Sequence, residues 1–251
     1  MRIAAVGCSH AYNYSTKPWP SQLGTLLEAE VILASSPGAG VGIGVDKLCY
    51  ILENNKVDHV FFQAPADLRI CIGMNSKVSN ETLIGQGSFG VDDLRNGNQF
   101  FTFIMTLVNG NKRALNELIE QRTDDLWDKF DEVYKEYFFD NFYETRINFV
   151  KHLIQVQNLC TRHKVSYTMF TWHDFPWDNQ NVLLQSWINQ LDKRHLIPES
   201  AINFNKRHKR MTKNEFVYPA FSSDGYHLNN QASLILAQDY ILPFYHTQTT
   251  L

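Results

Sequence analysis

Residue types that together can activate a hydroxyl nucleophile stand near opposite ends of the chain. The early stretch "GCSH" contains Ser9, and the late stretch "DGYHLNN" contains Asp224 and His227. A serine hydroxyl alone is a weak nucleophile, so a histidine must take its proton, and a carboxylate must fix that histidine's tautomer and stabilise its cation. Asp224 and His227 lie three residues apart on one turn, which suits both tasks. The pattern indicates hydrolytic nucleophilic catalysis.

These residues can meet only if the elements around them bring both blocks to one place. Gly7 ends a short apolar run that predicts a buried strand over residues 2–6, and further strands are predicted over residues 30–34, 57–65 and 165–172. Helical periodicity predicts helices over residues 22–29, 45–54, 143–163 and 182–192, and a terminal helix after the late block. Repeated strand, loop and helix units predict a parallel, doubly wound α/β sheet. Such sheets carry their chemistry at the carboxyl ends of the strands, where both blocks would lie.

The middle of the chain follows a different pattern. From about residue 70 to residue 98 it is rich in Gly, Asn and Ser, and helical periodicity returns over residues 111–121 and 124–138. We therefore expect one domain over residues 1–251 with an insertion at about 70–140. Trp127 and Tyr134 add aromatic surface to the second of these helices, which leaves room for a lid or a homo-oligomer contact.

Composition narrows the class of protein. The 251 residues are 44% hydrophobic and 20% charged, with a net charge of -3, so a dedicated nucleic-acid binder is not expected. No signal peptide and no apolar stretch long enough to span a bilayer is found, so we expect a cytoplasmic protein without membrane partners. The four cysteines form no CxxC pair and the histidines show no metal spacing, so reduced thiols are expected and no metal site.

The two blocks resemble those of the SGNH hydrolases, also called GDSL-like esterases. The first block appears as Gly7-Cys8-Ser9-His10, with Cys8 where many members have Asp, and the last block runs from Asp224 to Asn229. The resemblance implies a flavodoxin-like three-layer sandwich and a serine hydrolase without a cofactor. It also implies that Ser9 is the nucleophile, His227 the general base and then acid, and Asp224 the orienting carboxylate.

The resemblance further implies donors for the oxyanion that forms during ester cleavage. The family's second block places a glycine after the second strand, and "ASSPGAG" puts Gly38 there, so that the backbone N–H groups of Gly38 and Ser9 would both donate. The third block departs from the family, because "QAPADLR" lacks the expected asparagine. We expect Gln63 or Arg69 to supply a third donor, and not Asp67, since an ionised carboxylate would oppose the developing negative charge.

The expected substrate is a small ester. Trp19, Trp172, Phe175 and Trp177 stand in loops near the predicted site and favour a carbohydrate O-acetyl or similar ester, since aromatic rings stack on sugars. The alternative is a non-catalytic member of the fold that acts as a glycan-binding or structural subunit. The chain is also similar to diverged members of the family found in phage genomes, which makes a virion-associated location the alternative to the cytoplasm.

Other patterns compete with this site. The stretch "GAGVGIG" looks like a dinucleotide loop, but its glycines alternate and follow the second strand, not the first. His173 and Asp174 could form an acid–base pair at the end of the fourth strand. The run "KRHKRMTK", residues 206–213, could bind phosphate or an acidic sugar, although a solvated surface run is the ordinary interpretation.

Overall fold

The computed structural model describes residues 1–11, 17–35, 40–65, 69–73, 100–104, 142–211 and 228–249. For Ser9 and for residues 69–73, 100–104, 142–143, 208–211 and 249, the backbone alone is described. The statements that follow concern these parts of the chain.

A parallel sheet of four strands forms the centre of the described structure. Its strands run in the spatial order β2-β1-β3-β6, with bounds β1 Arg2–Gly7, β2 Glu30–Ser35, β3 His59–Ala64 and β6 Ser166–Thr171. All neighbouring pairs are parallel. All four strands predicted from the apolar runs are therefore confirmed. The continuous apolar pattern of β3 reflects burial of all six of its residues, as expected for a central parallel strand.

Helices cover both faces of this sheet, which gives the predicted three-layer α/β architecture. One apolar cluster joins strand residues such as Val6 and Phe62 to helices α2 (Val41–Asn54), α3 (Phe142–His163) and α4 (Val182–Ile188). A second cluster joins Ala5 and Phe61 to α1 (Trp19–Leu26), α5 (Ala201–Met211) and the carboxyl-terminal helices α6 (Asn230–Ile235) and α7 (Leu242–Thr249). Alternate residues of each strand thus enter different layers. The sheet is therefore packed against helices on both of its faces.

Two predicted helices begin earlier than their periodicity suggested. Helix α1 starts at Trp19, because Pro20 fits the first turn of a helix, where its missing N–H costs nothing. It ends at Leu26, and Glu28 then takes a left-handed conformation with φ of 50°. Helix α2 starts at Val41, so Gly42 and Gly44 of the alternating glycines belong to a helix and not to a loop.

Other elements were not predicted. Strands β4 (Arg69–Gly73) and β5 (Phe100–Ile104) pair in antiparallel fashion as a separate two-stranded sheet in the region of the expected insertion. The terminal helix is interrupted by a π-helical stretch, Leu236–Ile241. The helices predicted over residues 111–121 and 124–138 lie outside the described residues. None of the described helices is long and apolar enough to cross a membrane.

A buried histidine stands at the amino-terminal end of β3, opposite to the edge that carries the predicted site. His59 is 1% exposed, and its ring nitrogens lie 2.7 Å from Ser166 Oγ and 3.1 Å from Thr168 Oγ1. Burial is the main cause that lowers the pKa of His59, to about 3. The folded state therefore holds this ring neutral at a pH where the unfolded chain protonates it.

This difference predicts a pH dependence of stability. Below a pH of about 6.5 the unfolded chain binds a proton at His59 that the folded state rejects, so the free energy of unfolding should fall as the pH falls, by up to about 1.4 kcal/mol per pH unit. Replacement by glutamine removes this contribution, so His59→Gln should show a shallower decline between pH 6.5 and 4.5 in urea unfolding. Parallel slopes for wild type and His59→Gln would contradict the assignment.

Candidate active site

The turn that carries Ser9 follows directly from the end of β1. Ser9–Ala11 form a single 3₁₀ turn, and the N–H of Ala11 donates to the carbonyl oxygen of Cys8 at 2.9 Å. The backbone thus reverses at the carboxyl edge of the sheet, the position expected for functional residues in a parallel α/β sheet. The side chain of Ser9 is outside the described atoms, so its role stays a prediction.

Gly7 allows this turn because a neighbouring strand crowds the last position of β1. A Cβ atom on Gly7 would lie 2.5 Å from Oε1 of Gln63 and 2.7 Å from Cβ of Ala11. Neither distance is possible for real carbon atoms without movement. Gly7 is therefore required by the close approach of the Gln63 side chain and of Ala11 in the turn.

The Gln63 carboxamide lies against this strand end, and a hydrogen bond shows which of its two polar atoms is the oxygen. Its Oε1 accepts a hydrogen bond from the indole Nε1–H of Trp19, with 3.4 Å between the heavy atoms. An indole nitrogen can only donate, so the atom that faces it must be the amide oxygen. The NH₂ group must then occupy the other position.

That NH₂ group has no hydrogen-bond partner among the described residues. Gln63 is 1% exposed, and within the described part of the chain nothing accepts from its Nε2. A buried donor without a partner costs about 1–3 kcal/mol, so such groups are rare unless they have a further task. Among the residues predicted to line an oxyanion site, Gln63 thus lies beside the Ser9 turn, and its NH₂ group has no acceptor among the described residues.

An aromatic stack holds the same turn from the side of β6. The ring of His10 lies on the ring of Trp172, with 3.6 Å between centroids and 13° between planes. Trp172 directly follows β6, and its N–H donates to the carbonyl oxygen of Ala64 at 2.8 Å. The turn is therefore anchored to the ends of β3 and β6.

The chain that follows His227 is tied to the chain that follows the Ser9 turn. The backbone N–H of Lys17 donates to Oδ1 of Asn230 at 2.9 Å, a contact between residues 213 positions apart. Gln22 Nε2 donates to the Asn230 carbonyl at 3.4 Å. Asn229 caps α6, because its Oδ1 accepts from the N–H of Ala232. Both blocks therefore lead into one fixed region.

Apolar packing agrees with these hydrogen bonds. Ala11, Trp19 and Leu228 belong to the same buried cluster and are at most 4% exposed. Ala11 is two residues after Ser9, and Leu228 immediately follows His227. The described neighbours of the predicted nucleophile and base thus share one face of the sheet.

The remaining predicted site residues are placed only in part. Asp224, His227, Gly38 and Asp67 lie outside the described residues. Arg69 is the first residue of β4, with only its backbone described. The structure therefore brings Gln63 to the Ser9 turn and leaves the roles of the others as predictions.

The competing acid–base pair has a structural explanation. Asp174 Oδ1 accepts from Ser200 Oγ at 2.5 Å and from Asn203 Nδ2 at 2.7 Å. The Ser200 hydroxyl also accepts from the N–H of Asn203 at 3.3 Å, as in an N-terminal helix cap. Asp174 thus fastens the start of α5 to the loop after β6.

The glycine-rich stretch is explained by packing. A Cβ on Gly42 would lie 3.3 Å from His152 Nε2, and one on Gly44 would lie 3.0 Å from the Phe62 ring. These glycines let α2 approach α3 and β3, so they do not form a dinucleotide loop. No group of three His, Cys, Asp or Glu within the described ranges could hold a metal ion.

The aromatic residues predicted to stack on a sugar are mostly core residues. Trp19, Trp172 and Phe175 are 0%, 4% and 7% exposed. Their rings pack against protein, so they do not present a face to a ligand, and the argument from them for a carbohydrate is wrong. Trp177 is half-buried and packs beside Phe175 with 4.5 Å between centroids.

Comparisons with known proteins add structural likenesses only. No family model matches the chain, and no curated protein sequence matches it. Solved structures similar to it include TesA and the psychrotrophic esterase EstA from Pseudoalteromonas sp., both at 12% identity and a TM-score of 0.48. These alignments cover 97% of this chain and 97% of TesA, and 100% of this chain and 99% of EstA. A family 3 carbohydrate esterase from Clostridium thermocellum aligns at 12% identity and a TM-score of 0.38, over 98% of each chain.

The class that the described residues define is an α/β protein with a parallel sheet and a serine turn after its first strand. The neighbouring esterase structures have a TM-score below 0.5 at 12% identity, which does not fix a family for this chain. The case for an activity therefore depends on this chain's own residues.

The crowding at Gly7 yields a direct test of the strand-end geometry. Gly7→Ala forces the new Cβ against Gln63 and Ala11, so the free energy of unfolding should fall by about 1–3 kcal/mol. Gly42→Ala is the matched control, because its Cβ would meet only the edge of the His152 ring at 3.3 Å. Urea unfolding of both variants measures the difference. Equal stability of the two variants would contradict the close approach of Gln63.

Proposed function

We propose that the protein is a serine hydrolase that cleaves a small ester through Ser9, His227 and Asp224. The observation that carries the proposal is the tie between the two ends of the chain. The Lys17–Asn230 hydrogen bond and the shared cluster of Ala11, Trp19 and Leu228 hold the segments that flank Ser9 and His227 in one region. A Ser-His-Asp constellation needs this convergence.

In the proposed reaction, Ser9 Oγ attacks the carbonyl carbon of the ester while His227 takes its proton. The C=O π bond opens to a tetrahedral oxyanion. The oxyanion collapses, the bond to the leaving alcohol breaks, and His227 returns the proton to that alcohol. Water then attacks the acyl-serine with His227 again as base, which releases the acid and restores Ser9. Asp224 holds the histidine ring throughout and stabilises its cation.

The oxyanion needs donors that are fixed before the reaction begins. In the proposal these are the backbone N–H groups of Ser9 and Gly38, with Gln63 as third donor and Arg69 as its alternative. Gln63 is favoured because its oriented NH₂ group is buried beside the Ser9 turn and has no described acceptor. Asp67 is not a donor when ionised.

The substrate class is an ester with a small acyl group. Three of the four aromatic residues expected to bind a sugar are buried in the core, and this leaves Trp177 as the ring that could contact a carbohydrate. We therefore propose a short-chain ester, with a carbohydrate O-acetyl ester as the case in which Trp177 would matter.

The proposal predicts esterase activity that depends on Ser9. The purified protein should hydrolyse p-nitrophenyl acetate, and Ser9→Ala should lower the rate by several orders of magnitude because the nucleophile is lost. Release of p-nitrophenol, followed by absorbance, measures both rates. Ser21→Ala, a serine-to-alanine change on the exposed side of α1, is the matched control and should keep the wild-type rate.

Equal rates for wild type and Ser9→Ala would contradict the proposal. They would favour the alternative that the chain is a non-catalytic glycan-binding or structural subunit. Absence of any hydrolysis across short acyl esters would have the same meaning.

The third donor is tested by comparing three positions. Gln63→Leu removes the amide but keeps most of its volume, and turnover should fall on the order of 10² to 10³-fold if Gln63 donates to the oxyanion. Arg69→Ala and Asp67→Ala, assayed with the same ester, should have smaller effects. Activity lost in Asp67→Ala alone would give that carboxylate a direct role and contradict the assignment. Full activity in all three variants would leave the two backbone N–H groups as the donors.

A further inference from the structure

A lysine lies on the buried face of α2, where the pattern calls for an apolar residue. Lys47 shares this face with Ile43, Leu48 and Ile51, and it is 1% exposed. Burial of an ammonium group among apolar side chains is costly. Burial lowers the pKa of Lys47 to about 8.

The amine of Lys47 reaches the carboxyl edge of the sheet. Its Nζ donates to the carbonyl oxygen of Ser35 at 3.1 Å. Helix α2 begins at that edge and runs down the sheet, and helical side chains lean toward the amino terminus of their helix. Lys47 therefore stands below the edge, and its long side chain carries the amine back up to it.

Ser35 is the last residue of β2 and the direct register partner of Gly7 in β1. Gln63 of β3 crowds Gly7 from the other side. Gly7, the last residue of β1, is thus flanked by two polar residues, both fully buried. The Ser35 hydroxyl, like the Gln63 NH₂ group, has no hydrogen-bond partner within the described part of the chain.

We propose that Lys47 is a positioning residue for the hydrolytic site: by donating to the Ser35 carbonyl it fixes the end of β2 against Gly7, and thereby the turn that carries Ser9. This role rests on the proposed function, since the position of Ser9 matters only if Ser9 reacts. Lys47 touches neither substrate nor reacting atoms. It acts through Ser35 and the pairing of β2 with β1.

The test is Lys47→Met, which keeps most of the side-chain length and removes the charge and the donor. Because methionine suits an apolar face, the melting temperature should stay at or above that of wild type. The kcat for p-nitrophenyl acetate should fall about 10- to 100-fold, as expected when a reacting group is displaced slightly, while KM stays within about twofold. Lys56→Met makes the same chemical change at an exposed residue and should leave both constants unchanged.

The outcomes separate the two claims. Wild-type kcat in Lys47→Met, with activity that depends on Ser9, would overturn the role of Lys47 and leave the proposed function standing. A lower melting temperature or failure to fold would also overturn it, because Lys47 would then be a structural residue. If wild type itself lacks Ser9-dependent hydrolysis, the proposed function fails, and the positioning role fails with it.

Discussion

The close approach of β3 to the end of β1 is the constraint on which the described site depends. Gly7 has no side chain, and the Gln63 carboxamide occupies the space that a side chain would fill. This contact ends β1 and starts the turn that carries Ser9. It also places a buried NH₂ group beside the end of β1, and the proposed function gives this group the role of an oxyanion donor. The contact between Gln63 and Gly7 thus links the path of the backbone to the proposed chemistry.

The same strand end receives support from the other layers of the fold. Trp19 of α1 orients the Gln63 amide, the His10–Trp172 stack ties the turn to β6, and Lys47 of α2 holds the neighbouring end of β2. Two of these contacts place polar groups in the core at a cost in free energy. Proteins often retain such destabilising buried polar groups at functional sites, where function depends on the exact geometry.

The four central strands and the parallel arrangement were predictable from the sequence, because each strand is a short apolar run followed by turn residues. The ends of helices were harder to predict where a residue type, such as glycine, occurs both in loops and in closely packed helices. The glycines of α2 read as a loop, yet they start a helix that packs against His152 and Phe62. A single sequence does not reveal such a close approach, since it depends on a partner far along the chain.

The candidate site could likewise be predicted only in part from the sequence. Ser9 and Gln63 were predicted as site residues because both lie near the carboxyl end of an apolar strand, and their roles stay predictions. Trp19 and Trp172 were misread as sugar-binding rings, because an aromatic residue in a loop looks alike whether it faces solvent or the core. Lys47 was missed because its spacing with Ile43, Leu48 and Ile51 shows a buried face only after the helix is known to start at Val41.

The central claim is that Ser9 and His227 meet at the carboxyl edge of the sheet. The most direct measurement is the distance between Ser9 Oγ and His227 Nε2 in a crystal structure of the protein. The account predicts a separation close to hydrogen-bond length, about 3 Å, with Asp224 on the other ring nitrogen. A separation of more than about 8 Å, too far for any proton transfer between them, would contradict it.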